Sequence, residues 1–146
     1  MSTTSRQDIK NFHIYQSSAG SGKTYTLTRE YLKLALRRPD YFRSILAVTF
    51  TNKATEEMKS RIIDTLDDLS KGVHSMSGEL QKELGMSADQ LKQRATDVLK
   101  NVLHNYSSFA VITIDAFFQK VVRSFAREIG VQGGFQAELN QQKVIS

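Results

Sequence analysis

Cysteine is missing from this chain of 146 residues, so neither disulfides nor thiolate metal sites are available to it. Histidine occurs only at 13, 74 and 104, with no partners at metal-ligand spacing, and these read as surface or capped core residues. No apolar run approaches the length of a membrane span. The opening stretch Met1–Lys10 is polar, so no signal peptide is visible and the expectation is a cytoplasmic protein with no membrane partner. Internal repeats and low-complexity segments are lacking. So is any Asp-Glu dipeptide, an absence that matters below.

What remains is ordinary globular material, 40% hydrophobic and 24% charged, enough to bury one core. The net charge of +5 is unevenly placed. Residues 1–61 hold 11 Lys and Arg against 5 Asp and Glu, and residues 62–146 hold 9 against 10. A positive excess confined to the first part suits a polyanionic partner.

That same part carries the most informative stretch, Ser17-Ser18-Ala19-Gly20-Ser21-Gly22-Lys23-Thr24. It follows a short apolar run, 12–16, that reads as a strand, and it opens a helical pattern. Strand, glycine-bearing loop, Gly-Lys-Thr and helix together are the context of a phosphate-binding loop. Gly20 and Gly22 let the backbone turn with its amides pointing inward, forming a nest for anions. The helix behind adds unpaired N–H groups and a partial charge of roughly +0.5. Lys23 supplies a cation for the β- and γ-phosphates, and Thr24 a hydroxyl for Mg²⁺. The expected contacts are Ser18, Ala19, Gly20, Ser21, Gly22, Lys23, Thr24 and Tyr25, with Lys23 as the catalytic residue. The usual leading glycine is Ser17 here.

The rest of the chain alternates. A first helix over about 23–38 carries the stripe Leu27, Tyr31, Leu34 and Ala35, and Pro39 stops it. Residues 45–50 form a continuous apolar run, as for a parallel strand buried on both faces. Thr51 and Asn52 can cap the next helix, whose inner face is Ala54, Met58, Ile62, Leu66 and Leu69 and whose end is Gly72. A short helix fits 79–84. Ser87-Ala88-Asp89-Gln90 fits a capping box before a helix that turns Leu91, Ala95, Val98 and Val102 inward. A third strand fits 109–114. Asp115 is expected to cap a last helix with Phe117, Phe118, Val121, Val122 and Phe125 buried, ended by Gly130. This order predicts a parallel sheet with right-handed crossovers.

Three of these segments match one family. Ser18–Thr24 resembles motif I of the UvrD/Rep superfamily-one DNA helicases. Val48-Thr49-Phe50-Thr51-Asn52-Lys53-Ala54, with Glu57, Met58 and Arg61, resembles their motif Ia. Val111–Phe118 is similar to their motif Ib. The long helical stretch between Ia and Ib is closest to the RecB/AddA helicase–nuclease branch, of the exodeoxyribonuclease V beta type. The resemblance implies an α/β, P-loop NTPase (RecA-like) three-layer fold with a parallel sheet, incomplete here, plus an extra helical segment. It implies ATP and Mg²⁺ as cofactors and single-stranded or duplex DNA as partner, alongside a helicase–nuclease partner subunit. Motif Ia then implies Thr49, Thr51, Asn52 and Lys53 near the DNA backbone, with Phe50 against a base, and motif Ib adds Thr113. An aromatic can stack a base without reading sequence, which is worth about 1–3 kcal/mol.

The chain departs from the family in two places. Asp115 stands where motif Ib usually has His, and an Asp repels phosphate, so capping suits it better. No adenine-reading glutamine is convincingly placed upstream of the loop. The run 109–115 also reads as a Walker B strand ending in Asp115, as in a small P-loop kinase or GTPase. A nucleic-acid-binding module without enzymatic activity is the third reading. Motif II and the later ATPase motifs have no counterpart, so the expectation is an N-terminal fragment, inactive alone. Its layout is a lead-in over 1–11, part of the first RecA-like lobe over 12–130 with a helical insertion at about 72–107, and a tail over 131–146.

Overall fold

The computed structural model describes residues 22–130. The expected lead-in, the strand at 12–16, Ser17 to Ser21 of the loop, His13 and the tail lie outside the described residues.

The first helix, α1, runs Gly22–Ala35. It stops short of the expected Arg38, and carbonyls just beyond its end are taken by side-chain donors. The Arg94 guanidinium donates to the carbonyls of Leu36 (3.0 Å) and Arg37. Asn101 Nδ2 donates to the carbonyl of Pro39 (3.2 Å). The buried face of α1 is Thr28, Tyr31, Leu32 and Ala35. Tyr31 and Ala35 match the expected stripe, but Leu27 and Leu34 are exposed. A 3-10 turn at Tyr41–Ser44 then buries Phe42.

Strand β1, Ala47–Thr49, pairs in parallel with β2, Val111–Thr113, and Thr49 stands opposite Thr113. Both strands are shorter than the apolar runs that announce them, since a residue joins a ladder only where a neighbour bonds to it. The expected burial of β1 on both faces is not met: Leu46, Val48 and Phe50 are exposed.

Helix α2, Asn52–Lys71, starts at Thr51, whose hydroxyl accepts the Ala54 N–H (3.0 Å). Met58, Ile62, Leu66 and Leu69 are buried as expected, while Thr55 takes the inward place expected of Ala54. Gly72 ends the helix at φ 73°, a left-handed conformation that favours glycine. The Val73 N–H reaches the Asp68 carbonyl (3.0 Å) and the Gly72 N–H the Leu69 carbonyl (3.1 Å), satisfying two orphan acceptors.

Helix α3, Ser77–Leu84, buries Leu80. Helix α4, Ala88–His104, opens on the predicted capping box. Ser87 Oγ accepts the Gln90 N–H (3.2 Å), and Gln90 Oε1 accepts the Ser87 N–H (2.9 Å). All four residues predicted to face inward, Leu91, Ala95, Val98 and Val102, are buried. The pairing of α4 with α2 is the most extensive in the described chain, and the single hydrophobic core lies mainly between these helices and α1.

The last helix, α5, runs Ile114–Glu128. Here two expectations fail. Thr113, not Asp115, is the cap: its hydroxyl accepts the Ala116 N–H (3.2 Å), and Asp115 sits in the first turn. The predicted buried side of α5 is not buried either. Phe118 is 58% and Phe125 61% exposed, and no residue of α5 is fully buried. Its main packing among the described residues is against the two short strands, too small a surface to cover its apolar side. The described chain is thus mostly helical with one small parallel sheet, an α/β arrangement. No described helix is long and apolar enough to cross a membrane.

Candidate functional site

Four of the eight predicted nucleotide contacts are described, and they form the first turn of α1. Gly22, Lys23 and Tyr25 are exposed and Thr24 is partly so. The first turn holds no acidic residue of its own to offset the positive end of the helix. Lys23 makes no ion pair among the described residues. The residue types fit a nucleotide's phosphates and their metal: an exposed lysine, a threonine hydroxyl beside it, and a helix first turn with no acidic residue. Among the described residues no cluster of His, Asp and Glu could hold a metal by itself.

The predicted DNA contacts gather at the carboxyl ends of β1 and β2. The in-register pairing of Thr49 with Thr113 brings the starts of α2 and α5 side by side, because each helix begins within three residues of its strand. Thr51 caps one helix and Thr113 the other, each as an acceptor. Among the described residues neither hydroxyl donates, so each keeps a proton to offer. Asn52 and Lys53 are exposed in the first turn of α2, which has no acidic residue. Lys53 approaches Glu57 at 3.9 Å in an open, solvent-screened pair. Phe50 is 85% exposed, far more than a core aromatic. Asp115 puts a negative charge in the first turn of α5, where the first turn of α2 has none, so the α2 start is the less repulsive of the two to an anion.

Thr49 behaves differently. Its hydroxyl lies 2.5 Å from that of Thr55 and 3.2 Å from the Thr51 carbonyl. Thr55 was not apparent from the motifs. The signal for it was its spacing, four residues after the cap, from which a threonine hydroxyl can reach back to the helix's first carbonyl.

A second feature escaped the motif reading. Glu30 of α1 is held between Arg29 (3.0 Å) and Lys33 (3.3 Å). Arg29 also approaches Glu79 (3.6 Å), and Lys33 approaches Glu83 (3.1 Å), both on α3. Burial alone pushes the Glu30 carboxyl up, but hydrogen bonds from Arg29 and Lys33 outweigh it and hold the group below its ordinary value. The Lys33 ammonium is held above its ordinary value, chiefly by its hydrogen bond to Glu83. The helix behind the phosphate loop is therefore tied by charge to the helical segment.

The remaining candidates have structural roles. His74 Nδ1 accepts the Met76 N–H (3.0 Å). Glu56 and Glu57 are exposed on α2, and Asp67 pairs with Lys71 on the same helix.

A lysine and a threonine in the first turn of α1, and a row of hydroxyl, aromatic and cationic side chains at the sheet's carboxyl edge, are what the described residues bring together. The chain matches the UvrD/REP helicase N-terminal domain family over residues 6–145 and belongs to that family. Among its relatives is the RecBCD enzyme subunit RecB of Haemophilus influenzae, 28% identical over 146 residues, covering 90% of this chain and 12% of that protein. RecB of Escherichia coli is 29% identical over 136 residues, covering 86% and 11%. An ATP-dependent helicase/nuclease subunit of Lacticaseibacillus casei is 28% identical over 124 residues, covering 84% and 9%. The chain thus spans about a tenth of the length of these relatives. No solved structure matches it.

Proposed function

We propose that this chain is the opening part of the first RecA-like lobe of an ATP-dependent DNA helicase of the helicase–nuclease kind, working in DNA repair or recombination. Its share of the work is to hold the nucleotide phosphates and to supply part of the single-stranded DNA track. The observation that carries the reading is the exposed row Phe50, Thr51, Asn52 and Lys53 at the start of α2, in a chain of the UvrD/REP family.

On this reading Ser18 to Gly22 are among the residues that would hold the phosphates. Lys23 lies against the β- and γ-phosphates as the catalytic cation, Thr24 offers its hydroxyl to Mg²⁺, and Tyr25 lies beside the nucleotide. ATP supplies the free energy of translocation when bound. The DNA backbone runs past Thr51, Asn52, Lys53 and Thr113, with one base on Phe50. Hydroxyl, amide and ammonium groups can bond phosphates, and a ring can stack any base, so binding is not sequence-specific. Hydrolysis needs a metal-holding Asp, a residue that positions water and cationic clamps on the transition state. Lys23 alone binds phosphate but does not complete that set. The names of the relatives as enzyme subunits make a partner subunit the expectation for the whole protein.

The test uses the full chain with a fluorescent ATP analogue and a labelled oligo-dT. Lys23→Ala should weaken nucleotide binding by about tenfold or more, some 1.4 kcal/mol, and leave oligo-dT affinity unchanged. Phe50→Ala should weaken oligo-dT by roughly 5- to 150-fold, the equivalent of about 1–3 kcal/mol of stacking, and leave nucleotide affinity unchanged. Wild-type affinity for both ligands in both variants refutes the reading.

A further inference from the structure

Phe50 is almost wholly exposed at the tip of the turn joining β1 to α2. What holds the turn open lies beneath it. Thr55 is only 6% exposed, and its hydroxyl lies 3.2 Å from the Thr51 carbonyl and 2.5 Å from the Thr49 hydroxyl. The Thr49 hydroxyl lies 3.2 Å from the same Thr51 carbonyl and 3.5 Å from the Ile112 carbonyl of β2.

The protons can be counted. Two hydroxyls bring two protons. One must lie between the oxygens of Thr49 and Thr55, since they are within hydrogen-bond distance. The other goes to a carbonyl, of Thr51 or Ile112. Both protons are used inside the protein, so Thr49 has none for a phosphate in this arrangement. Thr51 is different: among the described residues its side chain only accepts, so its own proton is not used within them.

We infer that Thr55 is a positioning residue for nucleic-acid binding, and that Thr49 serves as its strut and not as a direct phosphate contact. The Thr49–Thr55 bond closes the base of the turn and holds the Thr51 carbonyl, and with it the turn that carries the exposed Phe50, Thr51 and Lys53. The class of ligand is a single-stranded nucleic acid. The inference rests on the DNA-track reading above and adds which buried group sets its shape.

Oligo-dT binding to the full chain, followed by fluorescence anisotropy, tests it. Thr55→Val keeps the side chain's shape and removes the hydroxyl; it should weaken binding about tenfold. Thr55→Ser, which keeps the hydroxyl, should stay within about twofold of wild type. Thr49→Val removes the same bond from the more accessible side and should match Thr55→Val, which covers the case in which Thr55→Val does not fold. The decisive readout is coupling. In the Thr55→Val background, or in that of Thr49→Val, adding Phe50→Ala should cost much less than it does in wild type, because the ring is no longer presented. A residue that merely stabilises α2 would lower the melting temperature and leave the Phe50 effect at full size, and that result overturns the proposal. So does wild-type affinity in both valine variants while Phe50→Ala still weakens binding, an outcome that leaves the DNA-track reading intact. If Phe50→Ala and Lys53→Ala are both silent in wild type, the track reading itself fails and the inference falls with it.

Discussion

Two hydroxyls on one face of α1 are sealed from water without a hydrogen-bond partner among the described residues. Thr28 Oγ1 belongs to a residue with 0% exposure, and Tyr31, three positions on, is 4% exposed. The Tyr31 ring packs edge-on against Phe109, with centroids 5.9 Å apart and planes at 72°. Tyr31→Phe keeps that packing and removes only the buried polar atom. A buried, unsatisfied hydroxyl costs about 1–3 kcal/mol, and the small void left by its removal offsets part of the gain. The expected result near neutral pH is stabilisation by about 1 kcal/mol. A second arm comes from titration. Burial pushes the Tyr31 phenol well above its ordinary value. A group raised on folding contributes stability that is fully present below its unfolded pKa, about 10 for a phenol, and is lost as the pH rises above it. Wild type should therefore lose stability above about pH 10 by a term that Tyr31→Phe lacks, and the gap between the two proteins should widen there. Urea unfolding monitored by circular dichroism, near pH 7 and above about pH 10, measures both arms. A loss of more than about 1 kcal/mol in Tyr31→Phe near neutral pH would show that the hydroxyl has a partner, and the reasoning would fail.

Gly72→Ala should destabilise the chain by about 1–2 kcal/mol, because an alanine is strained at φ 73°; the added methyl also meets Lys92 Cε, which can move aside. An unchanged urea midpoint would contradict that. The Glu30 carboxyl is lowered on folding, since the hydrogen bonds from Arg29 and Lys33 outweigh the opposing effect of burial, so its contribution is present above about pH 4.3 and lost as the pH falls through the lower folded value. Glu30→Gln should flatten the acid limb of a stability–pH curve, and an acid limb of wild-type steepness would refute the assignment.

The helices were legible wherever the chain supplies its own packing partner. The faces of α2 and α4 repeat at helical spacing because each buries the other, and the Ser87–Gln90 box needs only local geometry. The sheet was less legible. Apolar runs announce strands, but their length and burial depend on neighbours, and β1 has one hydrogen-bonded neighbour among the described residues. The same limit governs α5: its apolar periodicity was readable, while its exposed state depends on what packs there. At the candidate site, Phe50, Thr51 and Lys53 were proposed through the resemblance of a consecutive run to motif Ia, and spacing alone would have placed the Phe50 ring in the core; the structure leaves that ring exposed. Thr55 and the Arg29–Glu30–Lys33 cluster were not proposed, since their partners come from hydroxyl geometry and from α3.

The grip of α4 on the exit of α1 bears on how small this unit can be made. Arg94 and Asn101 reach the carbonyls of residues 36, 37 and 39, more than fifty positions back along the chain. Residues 72–107, between α2 and β2, resemble an insertion when counted in residues, yet they supply one wall of the described core. Trimming them to a tight crossover would strip the cover from Ile62, Leu66 and Leu69 on α2 and leave the end of α1 unanchored. An engineer seeking a minimal version of this unit has to keep that stretch whole.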